Sequence, residues 1–149
     1  MTIKKFDNNK GENLKFNIKP KEHVHGGQYI GEKVDGKAHG EGTYLYKDGS
    51  KYVGQWKNDK MDGDGILTWN NGEKYIGSWG NDLKHGYGTY TWPEGEVYIG
   101  QWKEDLKEGE GIYIWADGGR YIGQWKDDET YGEGIYVDPH GKVTIVSGE

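Results

Sequence analysis

From Tyr29 onward, large rings and glycines return to the same places every 23 residues, with β-branched residues beside them and polar residues between. Tyr29-Ile-Gly31, Tyr52-Val-Gly54, Tyr75-Ile-Gly77, Tyr98-Ile-Gly100 and Tyr121-Ile-Gly123 recur without insertion or deletion. With Tyr as position 0, Trp56, Trp79, Trp102 and Trp125 hold position 4, where the first repeat has Lys33. Positions 11, 13 and 20 are glycine in all five copies, as in Gly63, Gly65 and Gly72. A fixed period of this length is the mark of a repeat architecture.

Within a repeat, the alternation has period two over Tyr52-Val-Gly-Gln-Trp56 and again over Gly65-Ile-Leu-Thr-Trp69, which predicts two strands. Lys47-Asp48-Gly49-Ser50, Asn70-Asn71-Gly72-Glu73 and Ala116-Asp117-Gly118-Gly119 predict tight turns between repeats, with Gly supplying a positive φ. The connection inside a repeat, Lys57-Asn58-Asp59-Lys60-Met61-Asp62, reads as a longer polar surface loop. Pairing position 5 with position 12 makes the residue types agree. Trp56 then faces Gly65, Tyr52 faces Trp69, and Lys57, Lys103 and Lys126 face Asp64, Glu110 and Glu133 as cross-strand ion pairs. Any even slip of this register keeps all the rings on one face.

The predicted fold is all-β. It is a single elongated, twisted antiparallel meander sheet of tandem 23-residue β-hairpin repeats, an open ribbon on the order of 50 Å long. Residues 1–28 are expected to form a degenerate capping repeat, with Phe6 and Gly26 at positions 0 and 20 and with Asn17 and Lys19 where glycines are expected. Residues 29–143 hold five repeats, and 144–149 form a C-terminal edge strand and tail.

Composition narrows this further. The chain has 27 glycines in 149 residues, about 18 % where roughly 7 % is usual, and from Gly26 onward no Gly-free run exceeds eight residues, which excludes long helices. A net charge of −6, from 25 acidic and 19 basic residues, disfavours simple capture of nucleic acid or anionic lipid. Cysteine is absent, so no disulfide framework or thiolate metal site is available, and a reducing compartment is permitted. Met1 to Lys5 leads into no apolar run, so the expectation is a chain without a leader or a spanning segment.

The Tyr-x-Gly-x-Trp, Gly-x-Gly and Gly-turn pattern resembles the MORN repeat (membrane occupation and recognition nexus), over residues 29 to about 143. That family forms elongated meandering antiparallel sheets. It occurs in junctophilins, plant phosphatidylinositol phosphate kinases, a SET-domain lysine methyltransferase, and cytoskeletal and ciliary proteins, where the repeat itself is non-catalytic. The resemblance therefore implies a non-enzymatic, cytoplasmic scaffold or adaptor, with a protein partner, no cofactor, and association with the cytoskeleton or a cilium.

Three surfaces are candidates for that role. A one-layer sheet cannot cover both of its faces, and an exposed apolar stripe of a few hundred Å² marks an interaction site. The row Tyr52, Trp56, Tyr75, Trp79, Tyr98, Trp102, Tyr121 and Trp125 is accordingly the expected partner-binding face, suited to an amphipathic helix. The alternative is a peripheral phospholipid-binding module, in which loop lysines such as Lys57, Lys60 and Lys84 meet phosphate head groups. Val143, Thr144, Ile145 and Val146 form a β-branched strand with no following partner, a candidate edge for a homodimer. Asp62, Asp64, Asp82, Asp105, Asp127 and Asp128 lack the ligand order of a calcium loop, and His23 with His25 lacks a third ligand, so no metal is expected. Gly-Glu-Gly and Gly-Asp-Gly are not phosphate loops, and no nucleophile with its base is found.

Overall fold

The computed structural model describes residues 27–148; the expected cap over 1–28 falls almost wholly outside them, as do His23 and His25. The described residues form one antiparallel sheet in chain order: β1 (Gln28–Val34), β2 (Lys37–Leu45), β3 (Lys51–Lys57), β4 (Lys60–Thr68), β5 (Lys74–Gly80), β6 (Leu83–Thr91), β7 (Val97–Lys103), β8 (Leu106–Ile114), β9 (Arg120–Lys126), β10 (Glu129–Val137) and β11 (Val143–Gly148). None of them forms a helix long and apolar enough to cross a membrane.

The turns between repeats are as the sequence predicts: Gly49 N–H donates to Tyr46 O and Tyr46 N–H to Ser50 O, with Gly49 at φ 94°. The turns inside repeats differ. Asn58 and Asp59 take φ of 49° and 68°, as do Asn81 and Asp82, Glu104 and Asp105, and Asp127 and Asp128 at similar values. Two consecutive positive φ values make a two-residue type I′ turn, so the expected long loop is a minimal hairpin. It sets Lys57 opposite Lys60, Lys103 opposite Leu106 and Lys126 opposite Glu129, so the expected cross-strand ion pairs do not face one another. The register is shifted by two residues, with Gly54 opposite Gly65 and Tyr52 opposite Leu67, and a bulge lies between Gly54 and Trp56.

An even shift preserves parity, so three side-chain rows run across the sheet. Tyr44, Tyr52, Leu67, Tyr75, Tyr90, Tyr98, Tyr113 and Tyr121 follow one another in register. Beside them the glycines pair in an unbroken line from Gly31 to Gly123. On the opposite face runs a ridge with one β-branched residue per strand: Ile30, Thr43, Val53, Ile66, Ile76, Thr89, Ile99, Ile112, Ile122, Ile135 and Ile145.

Candidate partner-binding face

The glycine line is the floor on which the rings lie. A Cβ on Gly65 would stand 2.1 Å from the Tyr52 hydroxyl, and one on Gly88 2.2 Å from that of Tyr75. The ring that covers each glycine is thus the position-0 Tyr, not the Trp that the sequence register pointed to. Its hydroxyl then donates to the carbonyl three residues on: Tyr52 to Gln55, Tyr75 to Ser78 and Tyr98 to Gln101, each at 2.8 Å. The Trp instead reaches back across a repeat boundary. Trp56 Nε1–H donates to Gly42 O at 3.0 Å, and Trp79, Trp102 and Trp125 to Gly65, Gly88 and Gly111 O at 3.3 Å. Each Trp stands edge-on to the Tyr of its own repeat and to that of the repeat before, as in Trp79 with Tyr75 (4.9 Å) and Tyr52 (5.7 Å). Edge-on pairs at such distances add about 0.5–1.5 kcal/mol each to the area they bury.

All eight residues of the expected partner row are consequently buried, from 0 % exposed for Tyr52 to 6 % for Trp102. The row is a packed layer, and the expectation of an open apolar stripe does not hold for it. A sheet face covers itself here because rings lying flat on glycines also meet rings from the next repeat. The half-buried members of the face are Tyr29 in the first repeat and Trp115 and Tyr136 in the last two, at its two ends.

Two further kinds of side chain hold the backbone in place, one across the repeat boundary and one within the repeat. At position 7, Asp59, Asp82, Asp105 and Asp128 each accept at Oδ1 from the backbone N–H of Ala38, Met61, Lys84 and Lys107 in the preceding repeat, at 2.7–2.8 Å. The N–H of the same Asp donates to that residue's carbonyl, closing a two-point clamp. Several of the acids weighed as calcium ligands are therefore engaged with backbone. At position 3, Gln55 and Gln101 accept at Oε1 from the N–H of Asp64 and Glu110, at 2.8 Å, where the bulge withdraws the strand partner. The signal for the clamp was in the sequence: an Asp stands at the same spacing in repeats 2 to 5.

Charge is buried inside the ring layer. Lys84 Nζ stands 5.0 Å from the Trp102 ring, 5.3 Å from Tyr90 and 3.6 Å from Asp105 Oδ1. Desolvation lowers its pKa, against the attraction of Asp105, Asp128 and Glu73. Lys107 lies likewise over Trp125 and Tyr98, 3.7 Å from Asp128 Oδ1. Glu73 and Glu96, two residues before the position-0 Tyr, are also buried, and Tyr113 donates to Glu96 Oε2 at 3.0 Å. These charges come in sets: Glu73 goes with Lys84 and Glu96 with Lys107, whereas the other repeats hold Gly27 with Ala38, Ser50 with Met61 and Gly119 with Thr130.

The lysines considered for phospholipid are not assembled. Lys57 and Lys60 are exposed beside one type I′ turn, while Lys84 belongs to the ring layer, because its place in the shifted register is on β6 and not in a loop. Val143 to Val146 lie on β11, the last strand in the sheet order; Val143 is exposed and Val146 is buried against the end of the glycine line, opposite Gly134.

These features define an open one-sheet repeat protein whose units are joined by side chains crossing every boundary. The family model of the MORN repeat matches residues 29–51, 52–74, 75–97, 98–120 and 121–143, and the chain belongs to that family. No curated protein matches the chain. Among solved structures it is similar to the TCP domain of Drosophila melanogaster SAS-4 (dCPAP), solved in complex with a proline-rich motif of Ana2 (dSTIL), at 20 % identity and a TM-score of 0.46. That match covers 72 % of this chain and 59 % of that one, less than two thirds of the neighbour's length. The TCP10c domain of Drosophila melanogaster Sas-4 is similar at 14 % identity and a TM-score of 0.25, covering 80 % of this chain and 98 % of that one.

Proposed function

We propose that the chain is a non-enzymatic protein-interaction scaffold, an adaptor in a larger cytoskeletal or ciliary assembly, that holds a partner segment along its aromatic face. The reading rests on one observation: the sheet is a continuous platform in which each repeat presents the same backbone and ring pattern to the next. The eight packed rings form the floor of the binding face. Direct contact with the partner falls to the half-buried rings at the ends, Trp115 and Tyr136 foremost, and to the rim of the layer.

The test is affinity capture from native extract with three baits: wild type, a Trp115→Ala and Tyr136→Ser double variant, and an Ile99→Lys variant altered on the other face. A protein lost from the ring-face variant and kept by the others supports the reading, provided circular dichroism shows all three baits folded. Capture by all three equally removes the aromatic face as the binding site.

A further inference from the structure

The aromatic face is closed by its own rings, but among the described residues nothing lies over the opposite face as a second layer. Every large hydrophobic residue found exposed among the described residues lies on that opposite face, Ile30, Val53, Ile76, Ile99, Ile122 and Ile135 of the ridge among them. Stable sheets bury an apolar face against a second layer of structure. Ten strand spacings of about 4.8 Å and three rows about 7 Å apart give this face roughly 650 Å².

The charges beside the ridge say what the second layer is. In the row on one side stand Glu41, Asp64, Glu110 and Glu133, all exposed, and no cation. In the row on the other side stand Lys51, Lys74 and Arg120, all exposed, and no anion. Turning a copy of this face by 180° about the ridge axis lays its basic row on the acidic row of the first and its acidic row on the basic one. Turning it about the strand direction sets like charge on like. The strand spacing of the two surfaces is the same by identity, so the match holds along the whole ridge.

We infer that the unpartnered face is a homodimer interface, in which two ridges pack as the two sheets of a sandwich with the two-fold axis along the ridge. Aligned sheets of this kind pack about 10 Å apart with strands within about 30°. About 650 Å² from each copy, near 1,300 Å² in total, falls within the range of stable specific interfaces. This dimer is distinct from edge pairing through β11. It leaves both aromatic faces outward, so the scaffold becomes two-sided.

Sedimentation equilibrium of the full chain from 1 to 100 µM is the test. The expected result is twice the chain mass at the upper end. Ile99→Lys with Ile122→Lys abolishes association while the circular dichroism spectrum is unchanged. Lys51→Glu with Lys74→Glu and Arg120→Glu, and separately Asp64→Lys with Glu110→Lys and Glu133→Lys, each give monomers, and an equimolar mixture of the two charge variants restores the dimer mass. A monomer at every concentration overturns the inference. So does a dimer that survives the ridge substitutions, and if that dimer is lost with Ile145→Pro the interface is the β11 edge.

Discussion

The two faces of this sheet solve the same problem in opposite ways. Tyr98 and Ile99 are neighbours in the chain, yet the Tyr is fully buried and the Ile is 44 % exposed. On the ring face the side chains are large, they lie flat on glycines, and each reaches into an adjacent repeat. Along the ridge the side chains are short and β-branched, one per strand, and most of them are left exposed. Burial in a one-layer sheet is thus decided by side-chain reach and by the room the backbone leaves, and hydrophobicity alone does not decide it.

Alkaline pH should break the ring face outright. Burial raises the pKa of Tyr52, Tyr75, Tyr90, Tyr98 and Tyr113, with Glu73 and Glu96 adding to the shift at Tyr90 and Tyr113. Below pH 10 these tyrosines are protonated in both folded and unfolded chains and contribute in full. Above it the unfolded chain releases protons that the sheet holds, so stability falls as pH rises. Absorbance of phenolate should therefore grow together with loss of the β circular dichroism signal as pH is raised past 10; buried tyrosines ionising freely in an intact sheet would contradict this.

Tyr98→Ala should cost about 3–5 kcal/mol, as removal of a buried ring does, and Ile99→Ala about 1 kcal/mol or less in the monomer. Urea midpoints of the two variants measure the difference between the faces at adjacent residues. Equal midpoints would show that the ring layer contributes no more than the ridge.

The buried charges sharpen the picture of the ring face. Lys84→Met alone removes the cation that pairs with Asp105 and attracts the buried Glu73 and should cost about 3 kcal/mol. The double change Glu73→Ser with Lys84→Met reproduces the Ser50 and Met61 combination of the preceding boundary and should restore stability to within about 1 kcal/mol of wild type. Additive losses in this double-mutant cycle would show that the two charges are independent.

A smaller effect than that of the single ring or charge substitutions is expected from one added methyl group. A Cβ on Gly100 would stand 2.5 Å from Glu110 O and from Gly111 Cα, both backbone, and 2.7 Å from the packed Tyr98 hydroxyl, so Gly100→Ala cannot be relieved by moving a side chain alone and should cost about 2 kcal/mol. Gly95→Ala, at a turn where nothing lies within 4 Å, meets no such contact and carries only the strain of φ +101°. Thermal unfolding of the pair separates crowding on the sheet floor from strain in a turn.

The sequence by itself determined the period, the two strands per repeat, the turns between repeats, the antiparallel order and which residues share a face. All of these follow from spacing along the chain, and face parity survives any even slip of register. Tertiary structure decided the register, because the positive φ values at Asn58 and Asp59 close a two-residue turn where polarity alone suggested a longer loop. It decided that Tyr52 and not Trp56 covers Gly65, and that the Trp bonds across the boundary instead. It also decided that the eight rings are buried, which no single repeat can reveal, since the rings also pack against rings of neighbouring repeats. Composition and periodicity record what each strand offers; contacts between residues 14 to 21 apart, such as Trp79 to Gly65 and Asp82 to Met61, fix what each offer meets.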